Sequence, residues 1–223
     1  EEKTTILKFD IRDMHFSGTM TGLATNTNYV YKAYATNGEG ISFGEEKSFK
    51  TLGNEMGTFN DERDNREYSW VRIGNQTWMA ENIAYLPSVN APDDGSRIFP
   101  KYYIYGYEGQ NVGEAKETYA YKEYGVLYNW VAALNVCPAG WHLPTDDEWQ
   151  TLEMTLGMSK SAAGNAGWRG GIEGRMMKAQ EGWQSQGNGN NISDFSAIPG
   201  GYRLPDSTFK YQGIYSNWWS SKE

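Results

Sequence analysis

Cysteine is nearly absent from this chain. One thiol, Cys137, stands among 223 residues, which excludes a disulfide framework within the chain and a cysteine-built zinc site. Histidine is almost as scarce. His15 and His142 lie far apart in sequence, so a histidine metal centre or a catalytic triad has little to start from. No apolar run is long enough to span a bilayer, and the opening residues read as neither leader peptide nor lipidation site. Any hold on a membrane is therefore expected through an anchor upstream of Glu1. Basic clusters are missing too. Twenty Lys and Arg against 28 Asp and Glu leave a formal charge of −8. Phosphate backbones are held by Lys and Arg gathered on one face, so no nucleic-acid partner is expected. The acidic balance favours solubility.

What the chain has in excess is aromatic rings: sixteen Tyr, nine Trp and eight Phe, 15 % of the residues, with 26 Gly beside them. Few aliphatics and many glycines predict a β-rich, loop-rich fold that uses rings as core. One ring buries more area than one aliphatic side chain, so most of them belong inside. The remainder suit an extracellular recognition surface, because sugars dock on flat rings.

Two units are expected, 1–53 and 54–223. Residues 14–51 alternate at period two. Phe16 and Met20 mark a first strand, Tyr29 to Ala35 a second, and Ile41 to Thr51 a third, with Asn37-Gly38-Glu39-Gly40 as a hairpin turn. The second unit opens with a strand, turn and strand over 59–68. It continues through Trp70 and Ile73 to a Gly74-Asn75 turn and a strand over 76–83. Residues 87–123 are rich in Pro, Gly, Asp and Tyr without a clean period, which predicts a long irregular loop.

Leu127, Trp130, Val131 and Leu134 fall at i, i+3, i+4, i+7 and predict a helix over 124–136. Thr145 and Glu148 form a T-x-x-E capping box, and Trp149, Leu152 and Leu156 give a second apolar stripe that Gly157 stops. A short helix around Met176–Lys178, a loop at 187–191, strands on either side of Gly200-Gly201 and a strand through Trp218-Trp219 complete the reading.

Two resemblances cover long stretches, and a third, more distant one covers a single block. Tyr29-Val30-Tyr31-Lys32-Ala33-Tyr34-Ala35-Thr36-Asn37 and Gly44-Glu45-Glu46-Lys47-Ser48-Phe49 resemble the C-terminal half of a fibronectin type III domain, with Tyr29 as its tyrosine-corner residue. The order of later blocks carries the other. Ile73 to Asn82, Tyr124-Gly125-x-Leu127-Tyr128-x-Trp130, Cys137 to Trp149, Phe195 to Arg203 and Trp218-Trp219-Ser220-Ser221 together resemble the Fibrobacter succinogenes major paralogous domain family over 58–223. That resemblance implies a secreted or surface protein of bacteria, often behind immunoglobulin-like modules. Members usually continue past Trp-Trp-Ser-Ser to a cysteine that would partner Cys137, so here Cys137 is expected as a free thiol. Gly140-Trp141-x-Leu143-Pro144-Thr145-x-x-Glu148-Trp149 is also distantly similar to formylglycine-generating enzymes. It implies an α+β, C-type-lectin-like domain, two main helices packed on a twisted antiparallel sheet with many loops. This domain would follow a partial all-β immunoglobulin/fibronectin III-like module. The copper chemistry of those enzymes needs two cysteines, and this chain has one.

No residue set amounts to a catalytic constellation. Asp146, Asp147 and Glu148 suit a helix N-terminus, Asp61, Glu62 and Asp64 a solvated turn, and His142 a half-buried structural place. No enzyme is therefore expected. Calcium is the one cofactor weighed, with Asn188, Asn190, Asn191 and Asp194 as oxygen donors in one loop. Ordinary turn chemistry explains the same residues. For ligand binding the candidates are Trp168, Trp183, Tyr202, Arg203, Tyr215 and Trp218, in Gly- and Asn-rich surroundings. Consecutive Trp218 and Trp219 in a strand would face opposite ways, one to core and one to solvent. The expected function is a secreted or surface-anchored binding or adhesion module for glycan or a surface protein. The alternative is a filament-type subunit assembled by strand addition, and a glycoside-active enzyme comes last.

Overall fold

Polar and apolar residues alternating around an Asn-Gly turn fold into a hairpin in the computed structural model of the protein, which describes Met20, Leu23 and residues 26–222. Strand β1 (Asn28–Asn37) pairs antiparallel with β2 (Gly40–Lys50). Asn37 Oδ1 accepts from the N–H groups of Glu39 and Gly40 at 2.9 and 3.2 Å and closes the turn. Tyr29 stacks on Phe49, and Tyr34 meets Phe43 across the pair. Val30, Ile41 and Phe43 stay exposed. The strand expected from Phe16 to Thr19 lies outside the described residues.

Strands β3 (Met56–Asp61), β4 (Arg66–Ile73) and β5 (Gln76–Met79) form an antiparallel meander in that order, with the expected turn at Gly74-Asn75. Asp61 corrects the picture of a solvated turn. Its side chain is 1 % exposed. It accepts from Arg63 Nε at 2.8 Å and from the Arg63 N–H at 3.1 Å. Arg63 also donates to the Val136 carbonyl at 2.8 Å and lies 3.9 Å over the Tyr85 ring, tying the turn to distant chain. Tyr68 is fully buried, and its hydroxyl accepts from the Ala84 N–H. Burial pushes that phenol up to about 12.

The stretch expected as one long loop is partly ordered. It contains β6 (Tyr102–Tyr103), α1 (Val112–Glu117) and α2 (Tyr119–Tyr124). Both helices start at side-chain caps, Asn111 on the Glu114 N–H and Thr118 on the Tyr121 N–H. The helix expected over 124–136 breaks up. Gly125 at φ +78° ends α2, β7 (Leu127–Tyr128) pairs with β6, and α3 (Trp130–Ala133) is a single turn capped by Asn129. A 3.6-residue spacing of apolar groups here serves a strand residue and a helix turn separately.

The capping box is present and starts α4 (Asp146–Thr155), the longest helix among the described residues. Leu152 and Leu156 of its stripe are buried with Val71, Ile73 and Trp78 of the sheet, and with Met176, Trp183, Phe195 and Ala197. Met176 brings the short helix Glu173–Met177 into this core beside α4, whereas no residue of the helix expected over 124–136 enters it. A second core gathers Ala84, Leu86, Val89, Ile104, Ala115, Tyr121 and Val126. Beyond α4 come α5 (Lys160–Ala163), α6 (Glu173–Met177) and the paired β8 (Tyr202–Arg203) and β9 (Phe209–Lys210). Residues 217–221 form no strand. Their carbonyls are taken by indoles instead. Trp149 Nε1 donates to Trp219 O at 3.3 Å and Trp130 Nε1 to Ser220 O at 3.0 Å.

Candidate ligand-binding face

Four exposed or half-exposed rings run across one face. Trp168 meets Tyr215 at 5.8 Å between centroids, Tyr215 meets Tyr211 at 5.2 Å, and Tyr211 meets Tyr202 at 5.4 Å. Local chemistry places each. Tyr211 takes φ +65°, and the Tyr215 N–H donates to the Tyr211 carbonyl, so a single turn stacks residues i and i+4. Gly201, at φ +68°, holds the start of β8 against β9. A Cβ there would lie 2.7 Å from Gln212 N and Lys210 O. The adjacent Tyr202 is thereby brought beside Tyr211.

Trp168 is turned outward because its neighbour is anchored. Arg169 Nε donates to both carboxylate oxygens of Glu153, at 3.2 and 2.9 Å, and Nη1 to the Asn165 carbonyl. Trp168 is 89 % exposed.

Tyr202 also borders a broad groove of about 1610 Å³. Trp70, Trp78, Trp149, Trp218, Trp219 and Tyr128 line much of it. Trp218 and Trp219 are both exposed, which corrects the division into one core and one surface ring. Trp218 Nε1 donates to Asn82 Oδ1, and Trp219 Nε1 to the Tyr128 carbonyl. At the rim, His142 is exposed rather than half-buried, and its Nε2 lies 2.9 Å from Glu148 Oε1. Burial works to raise the Glu148 carboxyl, but the Thr145 N–H and the His142 ring outweigh it and hold it below its ordinary value. Cys137 is free and half-buried, and burial pushes its thiol up.

Of the expected ligand residues, Trp168, Tyr202 and Tyr215 come together, and Trp218 stands apart in the groove. Trp183 does not belong with them. It is 8 % exposed, donates from Nε1 to the Ala197 carbonyl and carries Lys178 Nζ 4.2 Å over its ring. A ring so enclosed is core. Arg203 is a tie between loops, donating from Nε to Pro92 O at 2.8 Å and from Nη2 to Ser207 Oγ, over the Tyr103 ring. Tyr211 was missed. Its signal was its place four residues before Tyr215.

In the loop weighed for calcium, each residue has an oxygen facing the chain. Asn188 Oδ1 accepts from Trp183 N–H, Asn190 Oδ1 from Ile192 N–H, Asn191 Oδ1 from Ser196 N–H and Asp194 Oδ2 from Asn54 Nδ2. Among the described residues no group of three or more His, Cys, Asp or Glu gathers to hold a metal ion. Of the carboxylates at the start of α4, Asp146 accepts from Gln150 Nε2, and Glu148 caps the helix. No helix among the described residues is long and apolar enough to cross a membrane.

Small antiparallel sheets, short helices and rings carried on loops define a mixed α and β, loop-rich domain with no closed barrel among the described residues. Within that class the chain belongs to the Fibrobacter succinogenes major domain family, whose model matches residues 71–223. The match begins inside β4, although β3 and β4 form one meander from Met56. No curated protein and no solved structure matches the chain.

Proposed function

We propose that this protein is a secreted or surface-held bacterial recognition module that binds carbohydrate on exposed rings and has no catalytic role. One observation carries the reading: Trp168, Tyr215, Tyr211 and Tyr202 form a continuous run from a fully presented indole to the mouth of the groove. Sugar rings offer faces of C–H groups to aromatic planes, and amides and carbonyls beside such planes take up hydroxyl groups. In the same proposal the domain is C-type-lectin-like, and the β1–β2 hairpin belongs to a fibronectin III-like spacer. Calcium in the Asn188–Asp194 loop would share those oxygens with the hydrogen bonds described there, and a calcium titration of Tm measures it.

Titration calorimetry with plant and mucin polysaccharides tests the reading. Trp168→Ala is expected to weaken binding about tenfold, the equivalent of about 1.4 kcal/mol. Binding untouched by that change, or no binding to any polysaccharide, overturns it.

A second reading, a subunit that accepts an extended strand from a partner chain, is favoured by the outer edge of β5, which pairs with no strand among the described residues. The Ala80 N–H donates to Ser69 O, so the alternating ladder turns residues 76 and 78 toward β4 and leaves Thr77 and Met79 facing the groove. Thr77→Pro removes one outward N–H and no β4 bond. Self-association at high concentration, measured by sedimentation, should fall in that variant. Unaltered association, or none in the parent, excludes the reading.

A further inference from the structure

A second cleft, of about 450 Å³, lies between α6 and the loop that follows it. Gly171, Gly174, Arg175, Lys178, Gln186 and Asn188 line it. The cleft is built firmly. The Asn190 N–H donates to Arg175 O and the Gly189 N–H to Ala179 O, lacing the loop to the end of α6. Four of its side chains, Arg175, Lys178, Gln186 and Asn188, carry N–H donors. The Asn188 oxygen is occupied by the Trp183 N–H, which leaves its amide NH₂ to donate. Lys178 Nζ gives one proton to Gly187 O at 3.4 Å and keeps the others. Arg63, Arg72, Arg169 and Arg203 each have an acid or carbonyl partner. Arg175, like Arg97 in the groove lining, is exposed and has neither among the described residues. The nearest carboxylate in sequence, Glu173, is buried and accepts from the Gly171 N–H at 2.6 Å.

This donor-rich cleft adjoins the ring run from two sides. Trp168 and Gly171 are three positions apart on one loop. On the other side, the Gln184 N–H donates to Gly213 O at 2.7 Å, which places the 184–188 loop against the turn that carries Tyr211 and Tyr215. We infer that the cleft is an anion subsite, and that the ligand of the ring run is a glycan bearing carboxylate or sulfate groups. The inference rests on the carbohydrate reading and names its substrate class. Guanidinium and ammonium donors bind oxyanions through charge-assisted hydrogen bonds, and a fork of N–H groups suits the paired oxygens of carboxylate or sulfate. On a molecule of formal charge −8, an anionic polymer is repelled on balance, so a cationic cleft favours where it docks.

The test compares matched pairs at fixed ionic strength: polygalacturonate against its methyl-esterified form, and dextran sulfate against dextran. At least one acidic chain should bind about tenfold tighter than its neutral partner, and which one does so separates carboxylate from sulfate. Arg175→Gln should abolish the preference, Arg175→Lys should keep part of it, and Lys160→Gln, an exposed charge on α5 outside the cleft lining, should leave it intact. A preference that survives Arg175→Gln, or falls equally with Lys160→Gln, overturns the subsite. Neutral chains bound without preference and released by Trp168→Ala leave the ring reading standing and remove the subsite alone. Acidic binding lost in Arg175→Gln but untouched by Trp168→Ala removes the ring reading and keeps the subsite. Absence of binding to all four removes both.

Discussion

At Asp61 a single carboxylate holds a turn together. Its side chain is closed off from water and bound by Arg63, whose hydrogen bonds hold the acid below its ordinary value against the opposing pull of burial. A depressed folded-state value stabilises the protein above the unfolded value, about 4 for Asp. That contribution is lost as pH falls through the folded value. Glu148 acts with the same sign. Asp61→Asn should therefore cost about 3 kcal/mol at pH 7. In urea melts it should also flatten the fall in stability between pH 4 and lower pH. An unchanged acid limb would show that Asp61 does not couple protonation to folding. Gly189 constrains the chain by volume instead. A Cβ there would run into Lys178 O and lie 2.5 Å from Arg175 O, both backbone atoms that cannot swing away. Gly189→Ala should lower stability by at least about 2 kcal/mol. Gly164→Ala, whose Cβ meets nothing closer than 3.6 Å, should change it little. Equal chemical-denaturation midpoints for the two variants would refute the close approach.

Among the elements, α4 was legible because its signals agree. A threonine cap, a glutamate three residues on, an apolar stripe and a terminal glycine all mark the same boundaries. Thr145→Ala should cost about 1 kcal/mol, read as a drop in Tm with the fold retained in far-UV circular dichroism. No drop would mean that water replaces the cap without loss. The hairpin of β1 and β2 and the β3–β5 meander were legible for a similar reason, since turn chemistry and period two coincide at Asn37 and at Gly74-Asn75. The α2–β7–α3 region misled because its apolar spacing mimics a helix, while Gly125 and Asn129 break and restart the chain. Helices α1 and α2 escaped because each is too short to show a period, and only caps announce them. The Trp218-Trp219 segment reads as a strand by composition. Its carbonyls, however, are met by tryptophan side chains, and period alone cannot show that.

Over the whole molecule, ring content predicted that most rings lie inside, yet among the described residues the buried ones are Tyr68, Trp78, Tyr103, Tyr121, Trp183 and Phe195, and composition did not show which rings make the surface. Trp168 and Trp183 sit in similar glycine-rich sequence, yet one is 89 % and the other 8 % exposed. Contacts made far along the chain decide between them. Trp183 packs in the core with Phe195 and Met176 and reaches the Ala197 carbonyl, whereas Arg169 fixes its loop to Glu153 and leaves Trp168 outside. The two alanine variants should therefore exchange phenotypes. Trp183→Ala removes a buried ring and leaves a cavity, and should cost about 3–5 kcal/mol. Affinity for neutral glycan per folded molecule should remain near that of the parent when measured well below the lowered Tm, whereas Lys178, which lies over the Trp183 ring, loses that support. Trp168→Ala removes only exposed surface and should alter stability by no more than about 0.5 kcal/mol, while glycan affinity falls. Calorimetric unfolding and binding on the same preparations read both quantities. If Trp168→Ala destabilises as much as Trp183→Ala, the indole is part of the folded core. If both lose affinity equally with folding intact, the ring run is not the seat of recognition, and the groove bordered by Trp149 and Trp218 becomes the surface to probe.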